Sequence, residues 1–367
     1  MVTRIEIPSN MLEWAIVRAG YSIDQYLKDN ADVAAWVLGI KKPTIRQAEE
    51  LANRLHVPFG LLFLSEPPQE SSPIPFFRGE ANSGALDINT YETVLSLQRR
   101  QAWLSDYLRD NDFEPRSFVG ILDPSKTISE ILVLVRQILQ LHETWAFTMQ
   151  NNDKAVSHIT EIFEDLGIVV VFNGVVGYNT HRPIKVEECR GFSLVDKMAP
   201  FIFVNSADSK TAQLFTLIHE FVHLLFGFSS GYGGEGASFG HDIEKVCDNV
   251  AAEFLVPTDT LLQNWRGIDR TAKKFKVSPL VIARRALQLK LISKQEFFEF
   301  YEDYLMTPII AKNNGSGDFV RVARKRIGYT FAVHVNNAIK TNQITRIEAY
   351  RLTGLYGKTF SNFMSRL

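Results

Sequence analysis

Residues 219–223 read His-Glu-Phe-Val-His, inside a run whose apolar members Leu214, Leu217, Ile218, Val222 and Leu225 recur at helical spacing. Two histidines four residues apart on one helix lie one turn above each other. Both imidazoles can then address a single ion, while Glu220 projects beside them toward a bound water. No other feature of the chain constrains its folding so tightly, because the fold must hold this helix and bring a further ligand to it. Zinc at a catalytic site takes three side chains and keeps its fourth position for water.

The next helical segment, 242–255, offers the third ligand. Glu244 stands on it beyond a stretch, 227–240, that holds six glycines. Asp248 follows one turn later on the same face, placed to accept a hydrogen bond from a ligand imidazole and fix its tautomer. Glu253 is the rival ligand, and His241 and Asp242 are near enough in sequence to compete. The chemistry expected of this set is peptide hydrolysis: Zn²⁺ polarises the scissile carbonyl and Glu220 serves as general base. An oxyanion partner is also needed, with Tyr232, His241 and Tyr178 as candidates. Imidazole and carboxylate ligands suit several ions, so Mn²⁺ is a substitute to consider beside zinc. Of the two cysteines, Cys189 could in principle hold such a site latent as a thiolate, whereas Cys247, on the ligand segment, reads as a small buried filler.

With 367 residues, 46% hydrophobic and 22% charged, the chain has the composition of an ordinary globular protein and the length for two or three domains. Forty basic against forty-one acidic residues exclude a global pull toward nucleic acid or anionic membrane. The apolar runs 168–172 and 201–204 are far shorter than the roughly 20 residues that span a bilayer. Two cysteines are too few for a disulfide framework, and the opening residues show no charged-then-apolar leader, so a cytoplasmic location is expected.

Along the chain, 10–64 reads as short helices, and the proline-rich run 65–75 as a linker. Helices are expected over 88–108, 128–141 and 159–166. The β-branched run 168–172 reads as a buried strand, and 191–195 and 201–204 as a hairpin about the turn 196–200. Helix resumes over 211–226, 242–255, 270–291 and 294–304. An Asn- and Gly-rich joint, 313–318, precedes a helical tail over 320–367. These readings divide the chain into an N-terminal helical domain (1–70), a linker and long helix (71–130), a metallopeptidase domain (131–310) and a helical C-terminal tail (311–367).

The blocks 200–205 (Pro-Phe-Ile-Phe-Val-Asn), 215–227 around His219 and His223, and 244–257, ending Leu255-Val256-Pro257, resemble in order those of the ImmA/IrrE family of bacterial and phage metallopeptidases. The likeness spans about 159–291. It implies an α+β, mostly helical fold: a zincin-like (gluzincin) core with a small sheet, flanked by helical N-terminal and C-terminal domains. It also implies that Glu244 is a zinc ligand and that the substrate is a helix-turn-helix transcriptional repressor. The N-terminal segment, with Trp36, Gly39, Pro43, Thr44, Leu51, Ala52, Leu55, Val57 and Pro58, is similar to the Xre-type helix-turn-helix fused ahead of such peptidases. Its residues 22–33 lack the usual Gly-containing turn. Residues 271–287, with Lys273, Lys274, Lys276, Arg284 and Arg285, resemble a second helix-turn-helix that follows the core, and Arg321, Arg324, Lys325 and Arg326 form a further basic cluster; operator DNA is thus a candidate partner. The alternative from the same resemblance is an antitoxin-like or transcription-regulating protein that neutralises a partner toxin by binding. Neither reading fixes the oligomeric state, a dimer included.

Overall fold

A computed structural model describes residues 3–68, 74, 76–77, 86–232, 241–306 and 318–367; the side chains at 76–77, 230–232 and 241–242 are outside that description. The chain forms two compact units, one of 1–73 with 84–92 and the other of 74–83 with 93–367.

The first unit contains helices α1 (Ser9–Arg18), α2 (Ile23–Asp29), α3 (Ala31–Val37) and α4 (Ile45–Arg54), followed by a 3-10 turn at Phe59–Phe63. They close around Met11, Leu12, Ile16, Trp36, Leu51 and Leu55. A capping box at Thr44 and Gln47 starts α4, each side chain meeting the other residue's backbone N–H. Only Asn30 separates α2 from α3, so the pair lacks the three- to four-residue turn of a helix-turn-helix. Most of the expected linker 65–75 lies outside the described residues.

In the second unit the helices are α5 (Ile88–Asp110, whose first residues belong to the other unit), α6 (Ile128–Leu139), α7 (Asn152–Asp165), α8 (Lys210–Phe226), α9 (His241–Leu255), α10 (Thr258–Asn264), α11 (Ile268–Phe275), α12 (Pro279–Gln288), α13 (Lys294–Met306), α14 (Phe319–Ile327), α15 (Tyr329–Lys340), α16 (Arg346–Thr353) and α17 (Gly357–Met364). The strands are β1 (Phe76–Phe77), β2 (Val169–Asn173), β3 (Val175–Val176), β4 (Asn179–Pro183), β5 (Gly191–Leu194), β6 (Phe201–Asn205) and β7 (Ser230–Tyr232). Five form one sheet in the order β1-β7-β5-β6-β2, while β3 and β4 pair separately. The expected hairpin is β5–β6, antiparallel with Phe192 opposite Phe203. Asp196 shapes its turn by accepting from the backbone N–H groups of Met198 and Ala199, each at 2.8 Å. β2 runs parallel to β6.

Every residue of β2 and β6 is buried, which requires cover on both faces of the sheet. Val170, Phe172, Ile202 and Val204 join one core with α6 to α12. Val169, Val171, Phe201 and Phe203 join a second core with α5 and the C-terminal helices. The tail is therefore no appendage: it roofs the sheet's second face. Gly328, between α14 and α15, has φ +88° and lies so close to β2 that a Cβ would stand 2.6 Å from Val169 Cγ1. The expected joint at 313–318 lies almost wholly outside the described residues.

The segment 270–291 is resolved into two helices, as its likeness to a helix-turn-helix implies. The expected helix 270–291 is broken at Lys276, whose φ of +61° ends α11, before Ser278 caps α12. In α12, Arg285 points inward, and only Arg284 and Gln288 are exposed. The core positions of α12 occupy most of its circumference, and that face packs on its neighbours.

Candidate metal centre

The residues of α8 from Thr216 to Phe226 are all buried, as expected of a helix that is apolar nearly all round. Ser209 caps its start by accepting from Ala212 N–H, and Gly227 ends it in the left-handed conformation. The sheet packs on one side of α8, and α7 and α9 on the others. This burial carries His219, Glu220 and His223 into the interior, each at most 1% exposed.

α9 crosses α8 through Cys247, Val250, Ala251 and Phe254, which join the same core. Glu244 and Asp248, one turn apart, then reach the two histidines. Glu244 Oε2 lies 3.2 Å from His219 Nε2, its Oε1 lies 2.9 Å from His223 Nε2, and the two Nε2 atoms are 3.1 Å apart. Donors bound to a tetrahedral zinc at 2.0–2.2 Å lie roughly 3.3 Å from one another. The spacing of this trio matches that requirement closely, and His219, His223 and Glu244 are a group able to hold a metal ion. Asp248 Oδ1 meets the other ring nitrogen of His219, Nδ1, at 3.0 Å. A proton held there leaves Nε2 as the lone-pair donor.

The charges agree with the geometry. Burial opposes a charge on His219, yet hydrogen bonds to Asp248 and Glu244 raise its pKa to about 10. Burial alone would raise Glu244, but the two imidazoles hold it down to about 2. His223 is lowered, chiefly by burial. Burial, with Glu244 and Asp248 nearby, lifts Glu220 to about 8. Three carboxylates around two buried rings form a site that favours a cation. Neither oxygen of Glu220 has a hydrogen-bond partner, although both are buried. An orphaned buried carboxylate is costly in a structural role and useful in one that takes up a proton.

The other sequence candidates are placed elsewhere. Glu253 accepts from Thr258 N–H (2.8 Å) and hydroxyl (3.1 Å) and from the Arg285 guanidinium, fixing α12 to the end of α9. It is therefore bonded away from the histidines. Tyr178 lies on the side of the C-terminal helices, its hydroxyl donating to Thr353 O at 3.4 Å, with the Arg326 guanidinium 5.5 Å from its ring centroid. Burial raises its phenol to about 12. Those contacts direct it to the tail and not to an oxyanion at the metal. The side chains of Tyr232, His241 and Asp242 lie outside the described residues. Cys189 packs in the core on the opposite face of the sheet, with its Sγ 3.8 Å from Gly191 O, and so does not reach the histidines. Cys247 is buried beside the site, and burial with the neighbouring carboxylates raises its thiol well above the usual range, which keeps it protonated.

Sequence reasoning did not single out Ser193. It is fully buried on β5 and, from across the helix–sheet contact, opposes the rise that burial gives the Glu220 carboxyl. No spacing rule could have found it, because the relation depends on how the sheet packs against α8.

Comparison with known families agrees with this site. Residues 163–287 match the family model described as the IrrE N-terminal-like domain, a peptidase family, and residues 327–366 match a domain of unknown function. The first match takes in β2, β5, β6 and α8 to α12, together with every residue of the His-His-Glu group. It supports a metallopeptidase of the ImmA/IrrE type. Searches of curated proteins and of solved structures found no match. Among the described residues, no helix is long and apolar enough to cross a membrane.

Proposed function

We propose that this protein is a zinc-dependent endopeptidase that cuts a protein partner, a helix-turn-helix transcriptional repressor. The observation that carries the reading is the convergence of three side chains from α8 and α9, with Glu244 Oε2 3.2 Å from His219 Nε2, Glu244 Oε1 2.9 Å from His223 Nε2 and the two Nε2 atoms 3.1 Å apart, beside a buried and unpartnered carboxylate. His219, His223 and Glu244 would hold the ion. Zinc, when bound, polarises a carbonyl and lowers the pKa of water toward about 7. Glu220 then takes a proton from the attacking water and delivers it to the leaving amine, a task suited to a carboxyl whose proton affinity is raised toward neutrality. Asp248 keeps His219 in one tautomer. The repressor as substrate rests on the ImmA/IrrE resemblance.

The test is labelling of protein N-termini in cells that express either the wild-type chain or Glu220→Gln. The wild type is expected to create new termini within a repressor. The variant should retain zinc yet lower cleavage by at least about a hundredfold, the scale of general-base catalysis. The same termini at the same rate in both would rule out Glu220 as the base. If the variant still neutralised a partner toxin in cells, the antitoxin-like reading would replace this one.

A further inference from the structure

No residue of α13 is buried, although seven of its thirteen are aromatic or aliphatic. None of these side chains joins any of the three cores. The helix is started by local bonds: Ser293 Oγ accepts from Glu296 N–H at 3.1 Å, and the Glu296 carboxylate accepts from Ser293 N–H at 2.7 Å. Its rings meet one another, Phe297 stacking on Tyr301 with centroids 6.0 Å apart and Phe300 on Tyr304 at 5.8 Å. A helix resting on its cap and its own side chains is marginal in water, and most helices in proteins are held by burying an apolar face. α13 carries such a face and leaves it uncovered.

The face has a pattern. Phe298 and Leu305, 58% and 66% exposed, stand two turns apart on one line of the helix. Glu302 is one turn from each of them, and Glu299 precedes it by one turn, so that a row of exposed carboxylates borders the apolar line. Glu299 accepts from Gln295 Nε2 of its own helix at 2.9 Å, a bond to a neutral amide that leaves its charge in place. Over the whole of α13, four acidic residues stand against Lys294 alone. Large apolar side chains rimmed by charge mark an interaction site.

The charge decides what fits there. Such a face repels nucleic acid and anionic membrane and favours a cationic partner. A helix docking on it would present apolar residues at i, i+3, i+4 and i+7, with lysine or arginine beside them. A DNA-binding repressor offers that chemistry, because a protein that neutralises phosphates gathers lysine and arginine on one face.

We propose that α13 is a docking site for a basic amphipathic helix of the partner protein, with Phe298 and Leu305 as apolar anchors and Glu299 and Glu302 pairing with its cations. The inference rests on the reading of the partner as a DNA-binding repressor, and it names the part of that partner which the enzyme engages.

The test measures binding, not cleavage, by fluorescence anisotropy on the full chain carrying Glu220→Gln. The probe is a labelled helical peptide of about 18 residues, with leucine at i, i+3, i+4 and i+7 and lysine elsewhere; in its control, glutamate replaces every lysine. The lysine peptide should bind, more weakly as salt is raised, and the glutamate peptide should not. Two double variants, Phe298→Ser with Leu305→Ser and Glu299→Gln with Glu302→Gln, should each weaken binding at least about tenfold. Both should keep the wild-type Tm, since the replaced side chains are exposed. Unchanged affinity in both double variants, or equal binding of the glutamate peptide, overturns the docking site. A wild-type dimer in sedimentation that dissociates in Phe298→Ser with Leu305→Ser also overturns it, by giving the face to a second copy. If chains with Glu220 intact create the same repressor termini at the same rate with and without the α13 substitutions, the docking site falls and the peptidase stands. Peptide binding that depends on α13, with no repressor termini from the wild type, retains the docking site and removes the repressor-cleaving function.

Discussion

Asp248 illustrates how a single carboxylate can orient a neighbouring imidazole. Its Oδ1 lies 3.0 Å from His219 Nδ1, so the ring presents Nε2 toward Glu244 and His223. Replacing Asp248 by Ala should weaken zinc binding by roughly 10- to 100-fold, measured by competition with a chromophoric chelator; an unchanged Kd would remove Asp248 from the site. The grouping of His219, His223 and Glu244 was legible in the sequence because helical spacing fixes which side chains share a face: 219 with 223 and 244 with 248. Spacing cannot say where Tyr178 goes, since its neighbours Arg326 and Thr353 arrive from helices far along the chain. It also left Glu253 open as a ligand, because the guanidinium that engages it, Arg285, stands 32 residues away.

Among the elements, β2 explains most of the layering. Its continuous apolar run was readable as a buried strand, and a strand buried on both faces implies cover on both. The cover on the second face, α14 and α15, was not readable, since a helix pattern records which face is apolar and not which element it meets. Glu164 on α7 marks the joint: it accepts from Tyr329 N–H at the start of α15, and burial raises its pKa to about 7. Below pH 4.5 the group is protonated in both the folded and the unfolded chain. Between 4.5 and 7 the folded state keeps a proton that the unfolded state releases, so stability falls as pH rises, and the loss is complete above 7. A shift of that size corresponds to about 3 kcal/mol. Glu164→Gln should therefore be more stable than the wild type at pH 8 and little different at pH 4.5, as read from denaturant midpoints. Equal midpoints at pH 8 would contradict the assignment.

For the molecule as a whole, the division into a small helical unit and a large unit built on the sheet follows from the cores that each can close. The N-terminal helices bury their own apolar stripes. Among the described residues the C-terminal helices share the sheet's core: Phe331, Ala332, Phe360 and Phe363 pack with Val169, Phe201 and Phe203. The sequence suggested a tail because its helices are short and follow an Asn- and Gly-rich run. Removing 318–367 would return these sheet residues to water, at about 1.5–3 kcal/mol for each side chain. Against a total stability of roughly 5–15 kcal/mol, the truncated chain should lose its cooperative thermal transition and bind a hydrophobic dye. A truncated protein that melts as the wild type does would show that the tail is dispensable.

The account depends above all on His219, His223 and Glu244 sharing one ion. X-ray absorption at the zinc edge of the purified full chain tests this directly. One zinc per chain, with two nitrogen and one or two oxygen neighbours at about 2.0–2.2 Å and no sulfur, is the predicted shell, lost in Glu244→Ala. A shell containing sulfur, or one unchanged in Glu244→Ala, would contradict it.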